Sequence, residues 1–157
     1  MSLTIQSAAF QHLHDIPARH TCDGMDTSPP LSWHGVPPGT RSLALIVDDP
    51  DAPDPAAPQM TFVHWVVYNI PPDTSGMEEG AAPAGLPLNA EQGLNDWNDR
   101  TWGGPCPPIG RHRYFFKLYA LNATLPHLRH PTKGAVEEAM RGHILAQAEL
   151  IGCYHKR

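Results

Sequence analysis

Long apolar runs, basic clusters and closely spaced cysteines are all missing from this chain of 157 residues. Each absence removes a class of function. Without a Lys/Arg patch, and with a formal net charge of −5, the chain lacks the electrostatic footprint of a nucleic-acid binder. No stretch approaches the roughly 20 apolar residues that cross a bilayer as a helix. The opening MSLTIQSAAF has neither a positive n-region nor an apolar h-region, so no signal peptide is expected. Cys22, Cys106 and Cys153 are odd in number and show no metal-ligand spacing. They read as reduced thiols of a cytoplasmic protein, with no intramolecular disulfide.

Proline and glycine are what the chain has in excess, 18 and 13 residues respectively, within a composition that is 41% hydrophobic. Many prolines favour short strands joined by structured loops over long helices. The length suits one domain covering 1–157. Charge is unevenly spread: positions 1–100 hold three basic and thirteen acidic side chains, and positions 101–157 hold eight and three.

Three runs read as strands. Ser42–Val47 is apolar and stops at Asp48 and Asp49; Thr61–Ile70 is β-branched and aromatic and stops at a Pro-Pro pair; Arg113–Leu121 is apolar on both alternating faces, as a strand covered on both sides would be. Shorter strands are expected at Leu3–Ile5 and Leu31–Trp33. Long loops over 49–59, 71–90 and 92–111 are of the kind that carry function. Helical spacing of Val136, Ala139, Met140, Ile144, Ala148 and Ile151 predicts a C-terminal helix near 133–151, with Thr132 as N-cap and Gly152 at its end. The expected fold is therefore mainly β, with an antiparallel, sandwich-like core and a few peripheral helices.

Three segments combine titratable side chains with stiff backbone. Asp49 and Asp51 sit in DPDAP, where two prolines fix φ after a buried strand. His64 interrupts an apolar strand. The loop Gly103–Gly110 precedes His112 and Tyr114, which are two apart and project to one face of a strand. A Gly/Pro loop lets backbone approach a ligand closely, and at least one X–Pro bond in 50–58 or 104–108 is expected to be cis. Together these are the material of a preorganised pocket.

The segments DPDAP (49–53), HW (64–65) and GPCPPIGRHRY (104–114) resemble the two signature regions of the phosphatidylethanolamine-binding protein family. TCDGMDTSPPLSW (21–33), SLALIVDDPDAP (42–53) and GHILAQAELIG (142–152) are similar to its bacterial, Raf-kinase-inhibitor-like branch. The resemblance implies a β-sandwich-like fold and a non-enzymatic protein, with a small pocket for phosphate or a phosphorylated ligand and no cofactor. It implies pocket positions at Asp49, Asp51, His64, Gly104, Pro105, His112 and Tyr114, with the 104–106 backbone, and so Cys106, drawn into the same cleft. It also extends to protein partners such as kinases and to a homodimer. Asn122, Trp102 and Met25 depart from the family pattern.

Physical consistency requires Asp49 to hold one imidazole, leaving the other imidazole and the Tyr114 hydroxyl to face the anion. If those histidines are cationic in the complex, sulfate affinity falls across roughly pH 5 to 8. Two rival readings use the same residues. One is a cysteine-dependent hydrolase built on Cys106, His112 and an Asp, weakened because Pro107 offers no N–H to an oxyanion. The other is a metal-assisted hydrolase built on Asp49, Asp51, His64 and His112.

Overall fold

The computed structural model describes residues 2–82 and 84–156. Its elements, in chain order, are β1 (Thr4–Gln6), a single 3-10 turn (Ala18–His20), β2 (Leu31–His34), β3 (Ser42–Ala52), β4 (Met60–Ile70), β5 (Gly76–Met77), β6 (Glu91–Gln92), β7 (Arg111–Leu121), α1 (Lys133–Met140) and β8 (Ile144–His155). All strand pairs are antiparallel. They form a small sheet ordered β1-β2-β5 and a larger one ordered β6-β4-β3-β7-β8.

The large sheet is covered on both faces, and β3 shows why its sequence is continuously apolar. Leu43, Leu45 and Val47 pack with Trp33 and Leu31 of the small sheet, while Ala44 and Ile46 pack on the opposite face with Val136 and Met140 of α1. Period-two alternation then sends Asp48 to the helix face and Asp49 to the other. Buried Asp48 receives Lys117 Nζ at 3.1 Å and Lys133 Nζ at 2.7 Å, which ties β3 to β7 and α1. On β7, Tyr114, Phe116, Leu118 and Ala120 are buried between the sheets. Its opposite face is only half-buried at Phe115, Lys117 and Tyr119.

The C-terminal helix is shorter than its spacing implies. α1 begins where expected, with Thr132 Oγ1 accepting from Ala135 N at 3.2 Å. It ends at Met140, Gly142 turns the chain at φ +81°, and 144–155 forms a strand paired with β7 along its length. Ile144, Ala148 and Ile151 fit a helical period, but β7 exposes a row of N–H and C=O groups that only a strand can satisfy. Gly152 is accordingly no helix stop. It faces Tyr114 across the β7–β8 ladder, and a Cβ there would lie 2.5 Å from Ile16 Cγ1 and 2.7 Å from Phe10 Cε2. Gly152→Ala should therefore cost about 1–3 kcal/mol, the range for overpacking a core. A urea melt with an unchanged midpoint would show that Ile16 and Phe10 yield freely.

A second correction concerns the thiols. Cys22 and Cys106 are disulfide-bonded across 84 residues, with Cα atoms 5.4 Å apart; Cys153 is free and buried. The two loops lie side by side because Cys22 N donates to Pro105 O at 3.1 Å and Gly104 N donates to Asp26 Oδ1 at 2.9 Å. Composition alone cannot reveal that juxtaposition. The bond also removes the reduced-thiol argument for a cytoplasmic location. No described helix is long and apolar enough to cross a membrane.

Candidate functional site

His64 owes its position to an irregularity in the sheet. Along β3–β4, Val47 pairs with Trp65 and Asp48 with Val63, so His64 is the extra residue of a β-bulge. His64 and Trp65 consequently both face the small-sheet side, and strict alternation would have sent one of them under α1. Gly103 holds the bulge from outside. Its carbonyl accepts from His64 Nδ1 at 2.7 Å, and its N–H donates to His64 O at 3.1 Å. Because Nδ1 faces a carbonyl, it carries the proton, which leaves Nε2 as the lone-pair nitrogen of the neutral ring. Burial, only partly offset by the Gly103 bond, lowers the His64 pKa to about 4.

The ring of His64 packs edge-on against Tyr114, centroids 5.1 Å apart, and His112 stacks on Tyr114 at 6.4 Å and 18°. His112 and Tyr114 thus share a face of β7, as their two-residue spacing implies. His112 is engaged at both nitrogens, Nδ1 meeting Asp49 Oδ2 at 2.6 Å and Nε2 meeting Ile109 O at 2.8 Å. Asp49 is equally committed, since its Oδ1 accepts from Asp51 N at 2.7 Å. Burial raises the Asp49 pKa against the opposing pull of the His112 hydrogen bond. Burial likewise raises that of Tyr114, so its hydroxyl keeps its proton.

These side chains line a cleft of about 300 Å3. Of the positions singled out in the sequence, Asp49, His64, Cys106, His112 and Tyr114 border it, and Asp51, Gly104 and Pro105 do not. Those three act one step behind. Asp51 receives Arg113 N, Nε and Nη2 at 2.9, 3.0 and 2.8 Å, and the guanidinium holds its carboxyl below the usual carboxylate range. Gly104 has spent its N–H on Asp26 and has no room for a side chain, because a Cβ would sit 2.1 Å from Asp26 Oδ1. Pro105 accepts from Cys22. Cys106 borders the cleft as a disulfide sulfur, not as a thiolate.

The rest of the wall escaped sequence reasoning. It consists of Ala52, Pro53, Met60, Phe62, Trp97, Pro107 and Pro108. Phe62 was within reach of the two-residue rule applied back from His64, and their rings lie 5.2 Å apart. Trp97 had no local signal beyond an aromatic in a long loop. It is 45% exposed and meets Phe62 and His64 edge-on at 4.6 and 5.2 Å. The Ala52–Pro53 bond is cis, within the segment where a cis bond is expected. The three departures from the family pattern lie outside the cleft: Asn122 Oδ1 meets His143 Nδ1 at 2.9 Å, Trp102 is buried in the core, and Met25 is exposed. Among the described residues, no group of three or more His, Cys, Asp or Glu side chains is arranged to hold a metal ion.

The comparisons with known proteins agree with this architecture. The model of the phosphatidylethanolamine-binding protein family matches residues 6–155. A UPF0098 protein of Methanothermobacter thermautotrophicus is 50% identical over 155 residues, covering 98% of this chain and 99% of its own. The crystal structure of CT736 from Chlamydia trachomatis, described as a putative homolog of the family, superposes with a TM-score of 0.90 at 41% identity, covering 99% of both chains. YbcL of E. coli, described as a member of the mammalian family, also gives a TM-score of 0.90, at 32% identity over 100% of both chains. The chain belongs to the phosphatidylethanolamine-binding protein family.

Proposed function

We propose that the cleft binds a small oxyanion, phosphate or the phosphorylated end of a larger molecule, and leaves it chemically unchanged. The observation that carries this reading is the convergence of two uncommitted polar ends, His64 Nε2 and the Tyr114 hydroxyl, in one cleft whose other titratable side chains already satisfy each other. A Tyr hydroxyl aimed into a low-dielectric cleft is a strong donor to an anion. Binding is favoured over turnover because no serine or threonine lines the cleft, its one cysteine is oxidised, and neither nitrogen of His112 is available as a base. Protein partners enter through the same chemistry, since a phosphorylated segment of a kinase is itself a phosphate monoester.

Calorimetric titration of inorganic phosphate tests the reading. Tyr114→Phe should weaken binding by about 1.5–3 kcal/mol, the range for a hydrogen bond to a charged group, while the melting temperature stays close to that of the parent because the ring remains. Absence of saturable phosphate binding in the parent protein would overturn the proposal. Unchanged affinity in Tyr114→Phe would remove Tyr114 from it.

A further inference from the structure

We infer that a hollow adjoining the cleft at Trp97 and Cys106 is a second binding site, one that takes a neutral, polyhydroxylated ring such as a single sugar unit. The hollow has a volume of about 290 Å3 and is lined by Asp26, Trp97, Asp99 and Trp102 beside the Cys22–Cys106 bridge. That size is at the lower end of the roughly 300–1,000 Å3 of small-molecule pockets and suits one ring. None of Asp26, Asp99 and Trp102 belongs to the oxyanion cleft.

Trp102 supplies the deciding observation. Its ring packs in the core against Trp65 and Phe116 and is 6% exposed, yet its Nε1–H finds no acceptor in the protein. Buried donors are normally paired, so an unpaired one on the wall of a hollow points to an acceptor brought by a ligand. Desolvation raises the Asp26 pKa, while Gly104 N, donating to Oδ1 at 2.9 Å, and the Trp102 indole pull it down. The indole exerts that pull without completing a hydrogen bond. A hydroxyl answers both groups, because it accepts from Trp102 Nε1–H and donates its own proton to Asp26. An ammonium has no lone pair to offer the indole N–H. A carboxylate or phosphate would meet two like charges, Asp26 and Asp99.

Buried Asn95 holds the rim. Its Oδ1 accepts from Trp97 N at 2.9 Å and Asp99 N at 3.0 Å, and its Nδ2 donates to Thr101 O at 3.0 Å. A side chain so fully engaged offers little to a ligand, but it fixes Trp97 and Asp99 in place before one arrives. The Asp99 carboxylate has no hydrogen bond or ion pair with a described residue, which leaves it to accept a second hydroxyl. The half-exposed indole of Trp97 adds apolar surface for the C–H face of a ring to cover. A sugar is apolar on that face and hydroxylated at its edge, which matches one aromatic plate, two carboxylates and one N–H.

Indole N–H signals in the 15N NMR spectrum of the parent protein read the site directly, since the chain has 4 tryptophans. Trp33 Nε1 and Trp65 Nε1 donate to Thr74 O and Gln92 Oε1, both at 2.7 Å, and serve as internal controls. The probes are glucose, galactose, mannose and N-acetylglucosamine, with glycerol and tetramethylammonium as comparisons. At least one of the sugars should move the Trp102 and Trp97 signals along a saturable curve while those of Trp33 and Trp65 stay in place. Trp102→Phe, which keeps an aromatic ring and removes the N–H, should weaken that sugar by about fivefold or more, the worth of a hydrogen bond. Exposed Asp99→Ala should weaken it in the same direction without disturbing the core, and so keeps the test open should Trp102→Phe fail to fold. Absence of saturable movement at Trp102 with all four sugars overturns the inference. So does tetramethylammonium binding more tightly than every sugar, glycerol binding as tightly as the best of them, or full sugar affinity in either folded variant.

Discussion

Reduction of the Cys22–Cys106 bond, or Cys22→Ser, should destabilise the protein by about 4–5 kcal/mol. The value follows from loop-closure entropy for a cross-link spanning 84 residues. It is large against a typical total of roughly 5–15 kcal/mol. The expected signature in urea is a lower midpoint together with a steeper dependence on denaturant, since an uncross-linked denatured chain exposes more surface. The effect should reach the cleft. The bond, with Cys22 N on Pro105 O and Gly104 N on Asp26 Oδ1, staples the 21–26 loop to the segment whose neighbour Gly103 grips His64. Phosphate affinity should drop in Cys22→Ser at temperatures where the variant is still folded. Thiol titration of unfolded, unreduced protein should find one thiol, from Cys153. Three thiols would mean that the two loops are not bonded.

Acid should unfold this protein over a window set by His64. Its pKa is 6.5 for the free side chain and about 4 in the folded protein. The unfolded chain therefore takes up a proton at a pH where the folded one resists it, and folding stability declines as pH falls from about 6.5 to about 4. Each pKa unit corresponds to about 1.4 kcal/mol, so the loss approaches about 3 kcal/mol at the lower end. Buried His20, also lowered by desolvation, acts in the same direction. Asp51 adds a loss at lower pH, because its folded pKa lies below the free value and its pairing with Arg113 disappears on protonation. Asp49 works the other way: its raised pKa makes its charged form a burden that protonation relieves. The midpoint of urea unfolding at pH 7, 5.5 and 4 should fall steadily in the parent protein. In His64→Gln, which cannot titrate there, the fall should shrink by about 3 kcal/mol. An equal slope in both proteins would place the acid sensitivity elsewhere.

The depressed pKa also changes the chemistry implied by residue types alone. A histidine read from sequence titrates near neutrality, and on that basis sulfate affinity falls across pH 5 to 8 through loss of a cation. Once His64 is buried and anchored on Gly103, it is neutral through that range, so loss of a cation at His64 cannot drive such a fall.

Much of this protein is written in local pattern. The continuous burial of β3, whose alternate side chains serve two covered faces, the stop at Pro71-Pro72, the cap at Thr132 and the shared face of His112 and Tyr114 all depend on periods of two or 3.6 residues and on backbone chemistry of single positions. Those are determined by neighbours in sequence, and the family resemblance in 49–53, 64–65 and 104–114 rests on the same short segments. Tertiary structure decided the rest. Residues 144–155 became a strand because β7 needed a partner. Cys22 met Cys106 because two distant loops dock. His64 faces the cleft because a bulge displaces it, and Trp97 joins it from a loop more than 30 positions away. In each case the deciding free energy comes from satisfying or covering a group on another element, and no window of adjacent residues contains that information.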